Sequence, residues 1–169
     1  MRVVLFRHGI AEDRTEFSRT GRPDSERPLT TKGVERSRQT AAGLLSLIPD
    51  LGFVATSPYR RARQTADLIA AAVGAGGLPV VVDALQPAGK AAEICRWLAS
   101  CPAHAAVALV GHEPDLSELM GWLTAGESGS FARLKKAGAC LLEFHSAPGR
   151  GAGELQWLLT PAILRQLAD

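Results

Sequence analysis

Apolar residues in this chain gather into short runs that alternate with segments of helical spacing. Residues 1–6 (Met1-Arg2-Val3-Val4-Leu5-Phe6) are β-branched, aliphatic and aromatic with no turn former, which predicts a buried strand. Residues 53–56, 80–82 and 106–110 predict three more. Val107, Ala108, Leu109 and Val110 are apolar at both parities, as a strand covered on both faces requires. Between them, Val34, Ala41, Leu44, Leu45 and Ile48 fall on one helical face that stops before Pro49. Ala62, Ala66, Ile69 and Val73 form a second such face, ending in Gly74-Ala75-Gly76-Gly77. Ile94, Trp97 and Leu98 mark a third, and Leu116, Leu119, Met120 and Leu123 a fourth. Thr30 or Thr31 can cap the first of these helices, and Ser57-Pro58 reads as N-cap and first-turn proline of the second. Two late strands, about 138–145 and 154–158, flank a Pro/Gly-rich turn at 147–153, and a last helix starts near Pro161. Residues 12–28 are polar throughout and read as a long loop.

Strands alternating with helices predict an α/β fold, a three-layer α/β/α sandwich with a mostly parallel central sheet. Length adds that 169 residues suit one domain, 1–169, with one proper core. A net charge of +2 argues against nucleic acid or a membrane surface as partner, and no apolar stretch reaches the ~18–20 residues of a span. Cys95, Cys101 and Cys140 are an odd number without metal spacing, so they read as reduced thiols. With no leader before the first strand, the expected location is cytoplasmic.

Chemistry-bearing residues stand at three predicted strand ends: Arg7-His8-Gly9, then Ser57-Pro58-Tyr59-Arg60-Arg61-Ala62-Arg63-Gln64-Thr65, then Gly111-His112. In a right-handed parallel sheet these ends share one rim. A guanidinium suits a phosphate, a neutral imidazole is a nucleophile, and glycine lets backbone approach a ligand closely. Arg61 falls one turn inside its helix, near an amide-rich N-terminus that attracts anions.

These segments, together with Leu29-Thr30-Thr31-Lys32-Gly33, resemble the histidine phosphatase superfamily, the phosphoglycerate-mutase-like group, and within it the short SixA-type phosphohistidine phosphatases. The resemblance runs from near the start to about Leu123; the remainder matches only in general pattern. It implies a phosphoglycerate-mutase-like fold and a reaction in which His8 attacks phosphorus and becomes phosphorylated. Arg7 and Arg61 correspond to the arginines that hold the phosphoryl oxygens, with Gly9 beside them. His112 corresponds to the second histidine, which bonds the same group. Neighbouring cations would favour the neutral imidazole that attack requires. No metal and no cofactor are implied.

One element of the family pattern is missing. Many members carry a glutamate after the third strand that protonates the leaving oxygen, and here residues 83–89 (Asp83-Ala84-Leu85-Gln86-Pro87-Ala88-Gly89) contain none. Imidazole leaves with a pKa near ~6.5 and phenol near ~10, whereas an alkoxide depends on a positioned acid. The pattern therefore favours phosphohistidine on a protein as substrate. Glu12, Asp13, Asp83 and Glu113 are the substitute acids within reach in sequence. The alternatives are a small-molecule phosphomonoesterase, a mutase, or a phosphate-binding regulatory module without turnover. Arg60 and Arg63 are expected to face solvent, His104 the surface, His145 a structural role, and Ser57 the cap position. Trp97, Trp122 and Trp157 are expected in core or rim packing. The 12–28 segment, with its mixed arginines and carboxylates, reads equally as a solvated loop or a docking surface.

Overall fold

In the computed structural model, which describes residues 1–74, 78–127 and 129–168, the strands form one six-stranded sheet. Its order is β3 (Val80–Val81), β2 (Leu51–Thr56), β4 (Ala106–Gly111), β1 (Arg2–Arg7), β5 (Ala139–Glu143), β6 (Glu154–Leu159). β1, β4, β2 and β3 run parallel, while β5 pairs antiparallel with β1 and β6 antiparallel with β5. The sheet is thus mixed and mostly parallel.

Alternation along β1 divides the core. Val3 and Leu5 pack on one face with α4 (Ala91–Leu98) and α5 (Asp115–Ala125). Val4 and Phe6 pack on the other with α2 (Thr31–Leu47), α3 (Arg60–Val73) and α6 (Pro161–Gln166). Every residue of β4 is buried, as its apolar run on both faces requires. Trp97 and Trp122 pack half-buried against the first of these cores and Trp157 against the second. No helix among the described residues is long and apolar enough to cross a membrane.

Two expectations need correction, and one alternative is decided. The 12–28 segment is not only loop: it holds the short helix α1 (Arg14–Ser18) and a 3-10 turn, Asp24–Glu26. The Asp13 side chain caps α1 by accepting from the Thr15 and Glu16 amides, a local bond invisible to apolar periodicity. Ser57 is not the helix N-cap; α3 begins at Arg60 behind Tyr59, and the Ser57 hydroxyl turns toward His112 instead. Thr30, not Thr31, caps α2 through the Gly33 amide. Gly74 ends α3 in the left-handed conformation, and Ala75, Gly76 and Gly77 lie outside the described residues.

The glycine of the Leu29–Gly33 motif has a packing cause. A Cβ on Gly33 would lie 1.9 Å from the Ile10 carbonyl oxygen, so only glycine lets α2 approach the chain leaving β1. The Ile10 carbonyl also accepts the Thr30 amide at 2.9 Å. This contact holds the segment immediately after His8.

Candidate active site

Parallel register brings the three strand ends together. Arg7 pairs with Gly111, the His8 amide donates to the Gly111 carbonyl at 3.1 Å, and the Ser57 amide donates to the Val110 carbonyl at 3.0 Å. His8 and His112 end up with ring centroids 5.1 Å apart, although more than a hundred residues separate them in sequence. The Gly9 amide donates to Thr65 Oγ1 at 3.0 Å, and that hydroxyl donates to the Arg61 carbonyl at 2.8 Å. Gln64 Oε1 accepts the Leu29 amide at 2.8 Å. Gln64 and Thr65 therefore bind the first turns of α3 to the segments that follow β1.

His8 Nδ1 lies 2.8 Å from the Gly9 carbonyl oxygen. A carbonyl only accepts, so Nδ1 carries the proton and Nε2 keeps its lone pair. Arg61 Nε donates to that Nε2 at 3.3 Å. Burial, the neighbouring His112 and the Arg61 and Arg7 charges push the His8 pKa down to about 2. Burial and Arg61 push His112 down to about 3. Both rings are neutral at neutral pH, because a buried imidazolium beside guanidinium groups loses hydration and meets like charge, which Asp24 offsets only in part at His112.

Backbone carbonyls and one carboxylate hold the two guanidinium groups. Arg7 Nη1 donates to the Leu134 carbonyl at 2.8 Å, while its buried Nε has no protein partner among the described residues. Arg61 Nη1 donates to the Asp24 carbonyl at 2.9 Å, and Nη2 lies 3.1 Å from Asp24 Oδ2. Arg27 binds the other carboxylate oxygen of Asp24 through Nε at 2.8 Å. Burial raises the Asp24 carboxyl, but the Arg27 hydrogen bond and the Arg61 and Arg27 charges prevail and hold it below its ordinary value.

These groups line a cavity of about 640 Å³ whose walls include Arg7, His8, Arg61, His112, Tyr59 and Lys136. Glu12, Asp13, Arg14, Asp24 and Arg27 supply one side, so the polar 12–28 segment forms a wall of the site. Among the proposed substitute acids, Glu12, Asp13 and Glu113 reach this cavity; Asp83 is exposed outside it. Arg60, Arg63 and His104 are exposed, and His145 is an exposed partner of Glu154 at 3.7 Å. Burial pushes the Cys140 thiol up to about 12, which removes it as a nucleophile. Among the described residues, no three His, Cys, Asp or Glu side chains cluster closely enough to hold a metal ion.

Sequence reasoning missed Asp24, Arg27, Ser57 as partner of His112, and Tyr59, which stands edge-on to His112 at 5.0 Å and under the Arg61 guanidinium at 4.8 Å. Arginine–carboxylate composition in 12–28 was the available signal, but it names no partners.

Residues 3–85 match the histidine phosphatase superfamily (branch 1). The chain belongs to that superfamily. It is 41% identical over 140 residues to an uncharacterized protein of Picosynechococcus sp., covering 82% of each chain. It is 26% identical to the phosphohistidine phosphatase SixA of Escherichia coli (strain K12), over 98% of this chain and 97% of that one. A solved structure of the protein histidine phosphatase SixA complexed with tungstate superposes with a TM-score of 0.81 at 26% identity, covering 97% of this chain and 99% of the other. This histidine phosphatase is thus a SixA-like hydrolase of the superfamily in both sequence and architecture.

Proposed function

We propose that this histidine phosphatase hydrolyses phosphohistidine on proteins through a phosphorylated His8. The observation that carries the reading is the His8 hydrogen bond to the Gly9 carbonyl, which reserves Nε2 for attack among cationic and neutral donors. His8 Nε2 attacks phosphorus as the bond to the leaving atom breaks, and water then displaces the phosphoryl group from Nε2. Arg7 and Arg61 hold the phosphoryl oxygens and His112 adds a further donor, so charge spread over those oxygens meets fixed partners. Gly9 gives the backbone close access beside them; a Cβ there would lie 2.1 Å from Ser37 Oγ.

Similarity to SixA over nearly the whole chain supports the protein substrate. The cytoplasm is the compartment proposed for it.

The reading is tested by comparing kcat/KM on a phosphohistidine peptide, a phosphotyrosine peptide and sugar phosphates, with the phosphoenzyme trapped from labelled substrate. Preference for phosphohistidine, with acid-labile and base-stable label lost in His8→Ala, is expected. Equal turnover of a sugar phosphate would move the enzyme to the small-molecule phosphomonoesterases, and no turnover of any of the three substrates would make it a phosphate-binding module.

A further inference from the structure

Transfer from a basic leaving oxygen through His8 needs a proton donor, and hydrolysis of the phosphorylated His8 gains from a base for the attacking water. Four carboxylates reach the cavity. Asp24 is committed to Arg27 and Arg61. Asp13 caps α1, and the Glu16 and Thr15 amides hold it below its ordinary value. Glu12 is an exposed side chain.

Glu113 differs from all three. It directly follows His112 and lies two residues beyond Gly111, whose partner in the adjacent strand is Arg7. It therefore leaves the rim beside the end of β1, from which His8 also emerges. Its carboxyl is half-buried and forms no ion pair among the described residues. The Ser117 hydroxyl stands 2.7 Å from each of its oxygens and fixes its orientation from the α5 side. We propose that Glu113 is the acid–base residue of this site, an assignment that rests on His8 being the nucleophile.

The proton balance is complete. Protonated Glu113 gives its proton to the leaving oxygen or nitrogen as His8 Nε2 bonds phosphorus and the bond to that atom breaks. Glu113 carboxylate then takes a proton from water as the water oxygen bonds phosphorus and the P–N bond to His8 breaks. Phosphate departs, His8 recovers its lone pair, and Glu113 is again protonated. The groups around it agree with this cycle. Burial raises the Glu113 carboxyl above its ordinary value, outweighing the Ser117 hydrogen bond, the Arg7 charge, the Leu134 backbone and Arg133. His112, neutral beside it, adds no charge, and Lys136 stands on the same cavity wall.

The opposing reading makes Glu113 a counter-charge for Arg7, and leaving-group dependence separates the two. With Glu113→Gln, kcat/KM is expected to fall about threefold on p-nitrophenyl phosphate and about 100-fold on phenyl phosphate, whose phenol has a pKa of ~10. The basic limb of the pH profile should vanish, phospho-His8 should accumulate in rapid quench, and Glu113→Asp should restore part of the selectivity. An equal loss on every aryl phosphate with an unchanged pH profile would overturn the proposal. Ser117→Ala keeps the carboxyl, removes its donor, and should move the basic limb upward; an unmoved limb would count against the assignment even if Glu113→Gln fails to fold. Aryl esters do not require phosphohistidine specificity, so failure of the protein-substrate reading leaves this result interpretable. Failure of the nucleophile reading shows separately, as wild-type enzyme that never carries label on His8.

Discussion

Arg61 Nε donates its hydrogen to His8 Nε2 at 3.3 Å, the nitrogen whose lone pair is not used by the Gly9 carbonyl. The same guanidinium spans to the carbonyl and carboxylate of Asp24. One rigid fork thus joins the ring to the 12–28 segment, and the phosphoryl group proposed to bond Nε2 would take the place of the Arg61–His8 bond.

A lysine cannot reproduce that fork. Arg61→Lys is expected to lower kcat/KM on p-nitrophenyl phosphate by about 100- to 1,000-fold with the fold intact, the scale on which fixed donors to a developing charge act. Steady-state kinetics with a circular dichroism control check this. A loss under threefold would mean that charge alone, without geometry, is sufficient.

Ser57 and His112 form a second buried pair, Oγ to Nε2 at 2.8 Å. His112 Nδ1 is buried without a protein partner, so Ser57 supplies the ring's one polar restraint among the described residues. Ser57→Ala is expected to cost about tenfold in kcat, the order expected of groups that orient a catalytic side chain, and to shift the His112 ring nitrogen resonances. Ser57→Thr, which keeps the hydroxyl, should restore both. Unshifted resonances in Ser57→Ala would show that packing alone orients the ring.

The two histidines make stability depend on pH. Their folded pKa values, about 2 and about 3, lie below the ordinary 6.5. Below pH 6.5 the unfolded chain takes up protons that the folded chain refuses, so stability falls as pH falls and keeps falling until pH nears the folded values. From pH 7 to pH 5 each histidine should remove about 2 kcal/mol. Urea midpoints measured across that range should drop in the wild type and drop less in His8→Ala. A His8 ring proton resonance that titrates between pH 5 and 7 would contradict it.

Gly33→Ala places a Cβ against backbone, 1.9 Å from the Ile10 oxygen and 2.9 Å from its carbonyl carbon, where no flexible side chain can yield. Overpacking of this kind costs about 1–3 kcal/mol. Because Ile10 follows Gly9, the shift should also lower kcat/KM, whereas a purely local adjustment would leave it unchanged. Chemical denaturation and kinetics on the same preparation separate these results.

How much of the site was legible in sequence differs residue by residue. Arg7, His8, Arg61 and His112 stand at strand ends, and parallel connection rules alone bring strand ends to one rim. Asp24 was not legible, because its partner Arg61 lies 37 residues away and nothing local in 12–28 specifies it. Ser57 was read by its neighbour Pro58 as a cap, but the demand of a buried imidazole for a partner redirected its hydroxyl. Glu113 stood among four equal candidates until burial, the Ser117 hydroxyl and the β1–β4 register separated it from the others.

By itself, the sequence determined the sheet strands, the longer helices, the mostly parallel sheet and the strand-end side chains, since apolar periodicity and short-range connection rules act locally along the chain. Tertiary structure alone decided which polar groups bond across the site: the His8 tautomer, the Asp24 anchor of Arg61 and the surroundings of Glu113. Those depend on desolvation and on hydrogen-bond distances between segments remote in sequence, which exist only once the sheet has brought them together.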